Sequence, residues 1–257
     1  MESLKRIIVV DDINYTLQAY KHRLKKYYQI FLAQSTQKLF ELLDLFIPDL
    51  ILLDINMPHI DGFEAIKLIK ADSNFANIPV IFCTSQKDKQ VVYRGISLGA
   101  VDFVFKPFTD LKIIESIENQ LNPEKREAHR PKILAIDDNP SILKSIYYTL
   151  NSQFSVYTLT QPEKMEKFLE DIKPDIFLFD YKMPGLDGFD LIRILRKTLI
   201  FTTTPVIMIT SEGTLDKILD AQCYGATDFI VKPFSEEILR EKVAYHLVNY
   251  MFWRKVR

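Results

Sequence analysis

The chain has 257 residues, of which 47% are hydrophobic and 26% are charged. This composition predicts one or two packed domains and argues against intrinsic disorder. The formal net charge of −1 gives no sign of a nucleic-acid-binding surface. The sequence shows no apolar run of the ~18 residues that a membrane span needs and no secretory leader pattern at its start. We therefore expect a cytoplasmic protein with no membrane and no nucleic-acid partner.

The first half of the sequence alternates short apolar runs with helical patterns. The predicted strands are residues 5–10, 29–33, 50–53, 80–84 and 101–106, and the predicted helices are residues 12–27, 37–46, 63–71, 87–98 and 110–121. Strand runs that are apolar throughout are typical of a parallel sheet covered on both faces. Right-handed crossovers then favour a doubly wound α/β sheet of five βα units.

The second half of the sequence repeats the first at an offset of 126 positions. The repeated pairs include Asp11-Asp12 with Asp137-Asp138, Asp54 with Asp180, Gly62 with Gly188, Thr84 with Thr210, and Lys106-Pro107 with Lys232-Pro233. So many pairs at one offset predict two copies of a whole domain. We assign residues 1–121 to the first domain, 122–131 to a polar linker bounded by prolines, and 132–257 to a second domain with an extended C-terminal helix.

Polar side chains follow four of the five predicted strands in each copy. They are an acid pair, a single acid, a hydroxyl and a lysine: Asp11, Asp12, Asp54, Thr84 and Lys106, then Asp137, Asp138, Asp180, Thr210 and Lys232. In a doubly wound sheet of strand order 2-1-3-4-5 these strand ends meet at one crevice. Three crowded carboxylates need positive charge, which Mg²⁺ and the lysine supply. The set suits phosphoryl transfer to an aspartate nucleophile, Asp54 or Asp180.

These residues carry a resemblance. Asp-Asp, Asp followed by Met-Pro and Asp-Gly, Thr-Ser and Lys-Pro-Phe, in this order, resemble the receiver (response-regulator) domain of bacterial two-component systems, found alone in the chemotaxis regulator. The resemblance occurs twice and covers nearly the whole chain. It implies a flavodoxin-like fold, Mg²⁺ dependence, and phosphoryl transfer from a phosphohistidine on a histidine kinase or histidine phosphotransfer protein.

The resemblance also assigns a role to each matching residue. Asp54 and Asp180 become the phosphoacceptors. Each domain holds one Mg²⁺ with its three acids and one main-chain carbonyl, that of Asn56 or of Lys182. The remaining roles are phosphate sensing by Thr84, Thr210, Lys106 and Lys232, and a switch aromatic at Phe103 and Phe229. Taken alone, each residue has a plainer interpretation: an acid pair often only caps a helix, and phenylalanines are usually core residues.

We interpret the chain as a tandem-receiver phosphorelay protein without a recognisable output domain. Its output is then a phosphorylation-dependent protein–protein contact, and it is not an enzyme beyond its own phosphorylation and dephosphorylation. The target and the choice between monomer and homodimer stay open. One alternative is a haloacid-dehalogenase-like phosphohydrolase, which needs a second acid where Asn56 and Lys182 stand. Another is a scaffold with vestigial sites, which would bind no Mg²⁺.

The two copies differ at two positions that border the expected phosphoryl group. Two residues after the acceptor stand Asn56 and Lys182, and two residues after the threonine stand Gln86 and Glu212. We hypothesise that Lys182 and Glu212 form an ion pair over the second site and slow hydrolysis of the Asp180 phosphate. Because exposed ion pairs are worth roughly 0–1 kcal/mol, the expected change in lifetime is only a few-fold.

Overall fold

The structure is a computed structural model that describes residues 4–211 and 224–256, with side chains of the last helix described as far as Met251. Its contacts divide the chain into two compact units, with the division between His129 and Arg130. Each unit contains one five-stranded parallel sheet. Over the described residues, no helix is both long enough and apolar enough to cross a membrane.

The first unit follows the predicted alternation of strands and helices. Its elements are β1 (Arg6–Val10), α1 (Asn14–Leu24), β2 (Gln29–Ala33), α2 (Thr36–Leu43), β3 (Leu50–Leu53), α3 (Gly62–Ala71), β4 (Val80–Thr84), α4 (Lys89–Ser97), β5 (Asp102–Phe105), α5 (Asp110–Leu121) and α6 (Pro123–His129). The strands lie in the order β2-β1-β3-β4-β5, and all pairs are parallel. This order confirms the predicted flavodoxin-like topology.

The second unit repeats the same plan over its described residues, 130–211 and 224–256. Its elements are β6 (Lys132–Ile136), α7 (Pro140–Leu150), β7 (Ser155–Leu159), α8 (Met165–Asp171), β8 (Ile176–Asp180), α9 (Gly188–Lys197), β9 (Val206–Thr210), β10 (Asp228–Val231) and α10 (Glu236–Val256). The sheet order is β7-β6-β8-β9-β10, which is the same topology. Pro140 opens α7, where its missing N–H removes no helical hydrogen bond.

The central strands are buried on both faces, as their continuous apolar runs predict. All four residues of β3 are buried, and so are all five residues of β4. Ile7 and Leu50 belong to a core cluster that also contains Leu17 of α1 and Ile117 of α5. Because side chains alternate across a strand, the other residues of β1 and β3 face the opposite side of the sheet. Both faces of the central strands are therefore covered, whereas the edge strands β2 and β7 are only partly buried.

Several predicted element ends differ from the structure by one to three residues, and two differences have a clear local cause. Helix α1 begins at Asn14 and not at residue 12, because the Asp11 carboxylate accepts a hydrogen bond from the Ile13 N–H and holds this stretch as a loop. The segment predicted as a linker contains helix α6. The Asn122 side chain caps this helix by accepting hydrogen bonds from the N–H groups of Glu124 and Lys125, at 3.0 and 3.1 Å. No residue of α6 is buried, which explains the absence of an apolar pattern.

Candidate functional site

In the first unit, the carboxyl ends of β1, β3 and β5 bring two acids and a lysine together. Lys106 Nζ lies 2.7 Å from Asp11 Oδ2 and 2.8 Å from Asp54 Oδ1. The sheet register causes this meeting: Val10 pairs with Leu53, so the residues that follow both strands leave the sheet side by side. Both acids are buried, whereas the side chain of Lys106 keeps 24% of its surface exposed.

The second unit builds the same arrangement from the repeated residues. Lys232 Nζ lies 2.7 Å from Asp137 Oδ2 and 2.6 Å from Asp180 Oδ1. Asp180 is the last residue of β8 and is buried, as is Asp137. The structure therefore brings two of the three predicted acids and the predicted lysine together in each copy, and their roles stay predictions.

The first acid of each pair is held by the main chain as well as by the lysine. Asp11 Oδ1 accepts a hydrogen bond from the Ile13 N–H at 2.9 Å, and Asp137 Oδ1 accepts one from the Asn139 N–H at 2.8 Å. The other oxygen of each carboxylate accepts from the lysine. These acids therefore have little freedom to turn.

Burial makes the two candidate acceptors harder to ionise. For Asp54, burial raises the carboxyl pKa, the Lys106 ammonium offsets part of this effect, and the charges of Asp11 and Asp12 raise the pKa further. The pKa of Asp180 is also raised, with burial as the main cause. For Lys106, burial lowers the pKa, but hydrogen bonds to Asp11 and Asp54 outweigh burial, so that its pKa is raised. The lysine is therefore charged at neutral pH.

The acids of the second site fit a divalent cation. Carboxylate oxygens of Asp137, Asp138 and Asp180 all lie within 4.8 Å of one another. Oxygen-only ligands of this kind suit Mg²⁺. In the part of the chain that the structure describes, Asp11, Asp12 and Asp54 do not form an equally tight group.

The two threonines lie at the ends of their strands and are buried. Thr84 is fully buried at the end of β4, and its hydroxyl oxygen accepts a hydrogen bond from the Gln86 N–H at 3.1 Å. Because this contact uses the oxygen as acceptor, the hydroxyl proton stays available for a ligand. Thr210 ends β9 in the same way. Both therefore stand where the sequence places them, and the phosphate-sensing role stays a prediction.

Phe103 and Phe229 differ in burial. The ring of Phe103 lies inside the first unit, 5.4 Å from the Phe82 ring, and a Cβ on Gly95 of α4 would lie 2.3 Å from Phe103 Cζ. The missing side chain of Gly95 therefore makes room for this inward ring. Phe229 is half-buried, and Lys242 Nζ lies 5.2 Å from its ring centroid. The switch role of both residues stays a prediction.

The positions that differ between the two copies are described only in part. In the first unit, Gln86 Nε2 donates a hydrogen bond to Asn56 Oδ1 at 2.7 Å, so the two residues form one polar bridge beside the candidate acceptor. In the second unit, Lys182 Nζ lies 5.9 Å from the Tyr181 ring. Glu212 lies outside the described residues, so the hypothesised Lys182–Glu212 pair stays a prediction, as do the metal-binding carbonyls of Asn56 and Lys182.

Gly62 and Gly188, which entered the sequence prediction only as a repeated pair, approach the main chain of the candidate acceptors closely. A Cβ on Gly62 would lie 2.3 Å from the Asp54 carbonyl oxygen, and one on Gly188 would lie 2.5 Å from the Asp180 carbonyl oxygen. Only glycine permits the loop to pass this close to the acceptor's own main chain. The recurrence of the glycine in both copies was the signal that pointed to this contact.

We expect Gly62→Ala to destabilise the first unit by about 2 kcal/mol, within the range for overpacking a site that cannot relax. The new Cβ would meet main-chain atoms of Asp54 and Ile55, which cannot swing aside as a side chain does. Urea unfolding monitored by circular dichroism measures the change. Glu64→Ala, in the same first helical turn, is the control and should change stability by less than about 0.5 kcal/mol. Equal stability of Gly62→Ala and the parent would contradict the crowding argument.

We expect Asp54→Asn to stabilise the metal-free protein at pH 7, on the order of 1 kcal/mol. The pKa of Asp54 is raised in the folded state by burial, so folding favours the protonated form and stability falls as the pH rises above the unfolded value of ~3.9. The advantage of asparagine should therefore shrink as the pH approaches 4. Thermal unfolding in EDTA at several pH values tests this.

Asp49→Asn is the matched control for that pH series. Although burial opposes it, the pKa of Asp49 is lowered by hydrogen bonds from the Arg6 N–H and Lys5. The charged Asp49 carboxylate therefore stabilises the folded protein above pH ~3.9, and this stabilisation is lost as the pH falls through the lowered pKa. Asp49→Asn should therefore destabilise the protein at pH 7. If both variants stabilised the protein at pH 7, or both destabilised it, the opposite pKa shifts assigned to Asp54 and Asp49 would be contradicted.

The fold and the site together define a class of protein. A parallel sheet of order 2-1-3-4-5 with an acid pair, a third acid, a hydroxyl and a lysine at its carboxyl edge is the arrangement of a receiver domain. The sequence pattern of the response regulator receiver domain matches residues 7–118 and residues 133–244. The chain belongs to the response regulator receiver family, with two copies of the domain, and its class of function is two-component phosphorelay signalling.

Curated relatives match one or both domains. A probable cyclic di-GMP phosphodiesterase of Vibrio cholerae serotype O1 is 40% identical over 109 residues, covering 42% of this chain and 25% of that protein. Response regulator PleD of Caulobacter vibrioides is 23% identical over 263 residues, covering 93% of this chain and 58% of that protein. The chain thus spans a quarter to somewhat more than half of the length of these relatives.

A solved structure supports the fold of both domains. It belongs to a probable two-component system response regulator/GGDEF domain protein, with a TM-score of 0.52 and 19% identity. The match covers 96% of this chain and 99% of that chain. At this identity the likeness bears on the fold alone.

Proposed function

We propose that this chain is a phosphorelay protein that accepts phosphoryl groups on Asp54 and Asp180 from a phosphohistidine donor. One observation carries the proposal: in each copy a lysine ammonium lies within hydrogen-bond distance of two buried acids at the open edge of the sheet. The lysine ammonium lies where negative charge accumulates during the reaction, and the nucleophile is the acid at the carboxyl end of the third strand of each sheet, Asp54 after β3 or Asp180 in β8. We propose residues 1–121 and 132–257 as the two receiver domains, joined by residues 122–131.

The reaction at the first site needs no proton transfer at the nucleophile. An oxygen of the Asp54 carboxylate forms a bond to phosphorus, the P–N bond of the phosphohistidine breaks, and the electron pair stays with the imidazole. Lys106 moves its hydrogen bond from the carboxylate to a phosphoryl oxygen, and Thr84 donates to another. This exchange of partners keeps the ammonium paired throughout, which lowers the cost of bringing two anions together.

A divalent cation completes the charge balance of the site. We propose one Mg²⁺ in each domain, held by Asp11, Asp12, Asp54 and the Asn56 carbonyl in the first domain. The second set is Asp137, Asp138, Asp180 and the Lys182 carbonyl. When bound, the ion supplies positive charge to the phosphoryl oxygens. The tight group of three carboxylates in the second unit supports this assignment.

We propose that the output is a protein–protein contact favoured by phosphorylation. Movement of the threonine and lysine toward the phosphoryl group shifts the balance between two arrangements of the nearby surface, in which Phe103 and Phe229 take part. A histidine kinase or histidine phosphotransfer protein is the donor, in the cytoplasm. The phosphodiesterase name belongs to a relative of which the match covers only 25%, and the GGDEF name belongs to a structure whose likeness bears on the fold alone.

The test is the stoichiometry of phosphorylation by acetyl phosphate. With Mg²⁺ present, we expect intact-mass spectra to show uptake that saturates at two phosphoryl groups per chain. EDTA should abolish the uptake, because the site then lacks the positive charge that a bound cation supplies to the phosphoryl oxygens. Continuous release of phosphate from a small phosphate ester over many turnovers would instead support a phosphohydrolase. Absence of both uptake and Mg²⁺ binding would support a scaffold with vestigial sites.

A further inference from the structure

A pocket with a volume of about 570 Å³ opens beside the loop that follows β3, next to helix α4. Its lining includes the apolar residues Met57, Phe63 and Val91 and the polar residues Gln86, Gln90 and Arg94. The volume lies within the range of ~300–1,000 Å³ that is usual for small-molecule sites. A few polar groups above an apolar floor are also typical of such sites.

The Arg94 guanidinium is the cation of this pocket. It lies over the Phe63 ring, with Arg94 Cζ 4.1 Å from the ring centroid. Among the described residues, no carbonyl or carboxylate accepts a hydrogen bond from this guanidinium. Stacking fixes the guanidinium plane and leaves the donors at its edge, where a carboxylate binds with two parallel hydrogen bonds.

A stacked arginine in the second unit shows the contrast. Arg193 lies 5.0 Å from the Tyr224 ring centroid, and its Nη1 donates to Asp190 at 2.9 Å. Asp61 is the acid that lines the pocket of the first unit. Its carboxylate accepts a hydrogen bond from the Glu64 N–H at 2.8 Å and so caps helix α3. The carboxylate that pairs with Arg193 therefore has no counterpart on Arg94.

The sequence of the second copy reverses the charge of this pocket. The residues 126 positions after Gln86, Gln90 and Arg94 are Glu212, Asp216 and Asp220. These three acids lie outside the described residues, so the comparison is one of sequence alone. Three acids in place of two carboxamides and a guanidinium would repel an anion, so the sequence favours anion binding in the first copy and disfavours it in the second.

We propose that this pocket binds a small organic carboxylate, with the carboxylate on Arg94 and an apolar body against Met57 and Val91. The Gln90 carboxamide, which also lines the pocket, is a further donor. The proposal goes beyond phosphoryl acceptance and does not require it, because neither Asp54 nor Lys106 takes part in the contacts.

The test uses benzoate as the probe and benzamide as its uncharged counterpart, on the full chain at constant ionic strength. We expect benzoate to shift backbone amide signals of residues 55–63 and 86–94 in ¹H–¹⁵N spectra, and benzamide to bind roughly tenfold more weakly. Arg94→Gln removes the guanidinium that binds a carboxylate with two parallel hydrogen bonds, and Gln90→Glu adds a negative charge that repels it. Each variant should weaken benzoate binding about tenfold. Both positions are exposed, so the variants should fold. Arg193→Gln is the matched control and should leave benzoate binding unchanged.

A free acid and the acidic side chain of a partner protein share this chemistry. N-acetylglutamate amide therefore serves as a second probe: tighter binding of benzoate assigns a free aromatic acid, and tighter binding of the glutamate compound assigns a partner's side chain. Equal binding of benzoate and benzamide, or benzoate shifts that persist in Arg94→Gln, would overturn the proposal. Amide shifts confined to residues elsewhere in the chain would overturn it as well.

Discussion

Asp54→Asn should leave the chain with one phosphoryl group per molecule, Asp180→Asn should do the same, and the double variant should carry none. Asparagine has nearly the shape of aspartate, but its neutral carboxamide is not a nucleophile toward phosphorus. Each lysine keeps its second acid, Asp11 or Asp137, so the local structure should survive. Intact mass after incubation with acetyl phosphate and Mg²⁺ gives the count directly.

Controls for this experiment come from acids at the other end of the same strands. Asp49 and Asp175 immediately precede the strand region, and each accepts a hydrogen bond from a main-chain N–H, that of Arg6 or that of Lys132. Asp49→Asn and Asp175→Asn should both keep two phosphoryl groups. A phosphoryl group that persists on the Asp54→Asn/Asp180→Asn double variant would place the acceptor elsewhere, and peptide mapping would locate it.

Lys106→Met should reduce phosphorylation of Asp54 by roughly 100-fold, the usual effect of removing one preorganised donor from a developing charge. It should also destabilise the Mg²⁺-free protein by about 3 kcal/mol, because Asp11 and Asp54 lose their buried counter-charge. Added Mg²⁺ should restore part of this loss. Acetyl phosphate kinetics on the Asp180→Asn background isolate the first site, and urea unfolding measures the stability.

Two further variants separate the effect of removing Lys106 from the site from the general effect of removing a lysine from the protein. Lys112 pairs with Glu115 on the surface, with 59% of each side chain exposed, so Lys112→Met should cost less than about 1 kcal/mol. Combining Lys106→Met with Asp54→Asn should cost less than the sum of the two changes, because the second removes a charge that the first leaves unpaired. Additive costs would show that the lysine and the acceptor do not interact.

The sequence predicted the elements whose causes are local. Continuous apolar runs identified β2, β3 and β4 with their observed bounds, and the 126-residue offset predicted the second copy of the domain. Right-handed crossovers favoured a doubly wound sheet, and the resemblance to receiver domains implied its flavodoxin-like topology. The strand order observed in that topology brings Asp11, Asp54 and Lys106 together. Helix α6 was missed because an exposed polar helix has no apolar period, and only the Asn122 cap reveals where it starts.

The sequence alone therefore determined the repeated βα plan and which residue types meet at the open edge of each sheet, because period, order and handedness act along the chain. Only the tertiary structure decided how those residues meet. Three contacts were decided in this way: Lys106 contacts one oxygen of each acid, Gly62 lies close to the Asp54 main chain, and Arg94 stacks on Phe63. Each contact joins segments that are apart in sequence. Such contacts depend on rotamers and packing, which no pattern of residue types specifies.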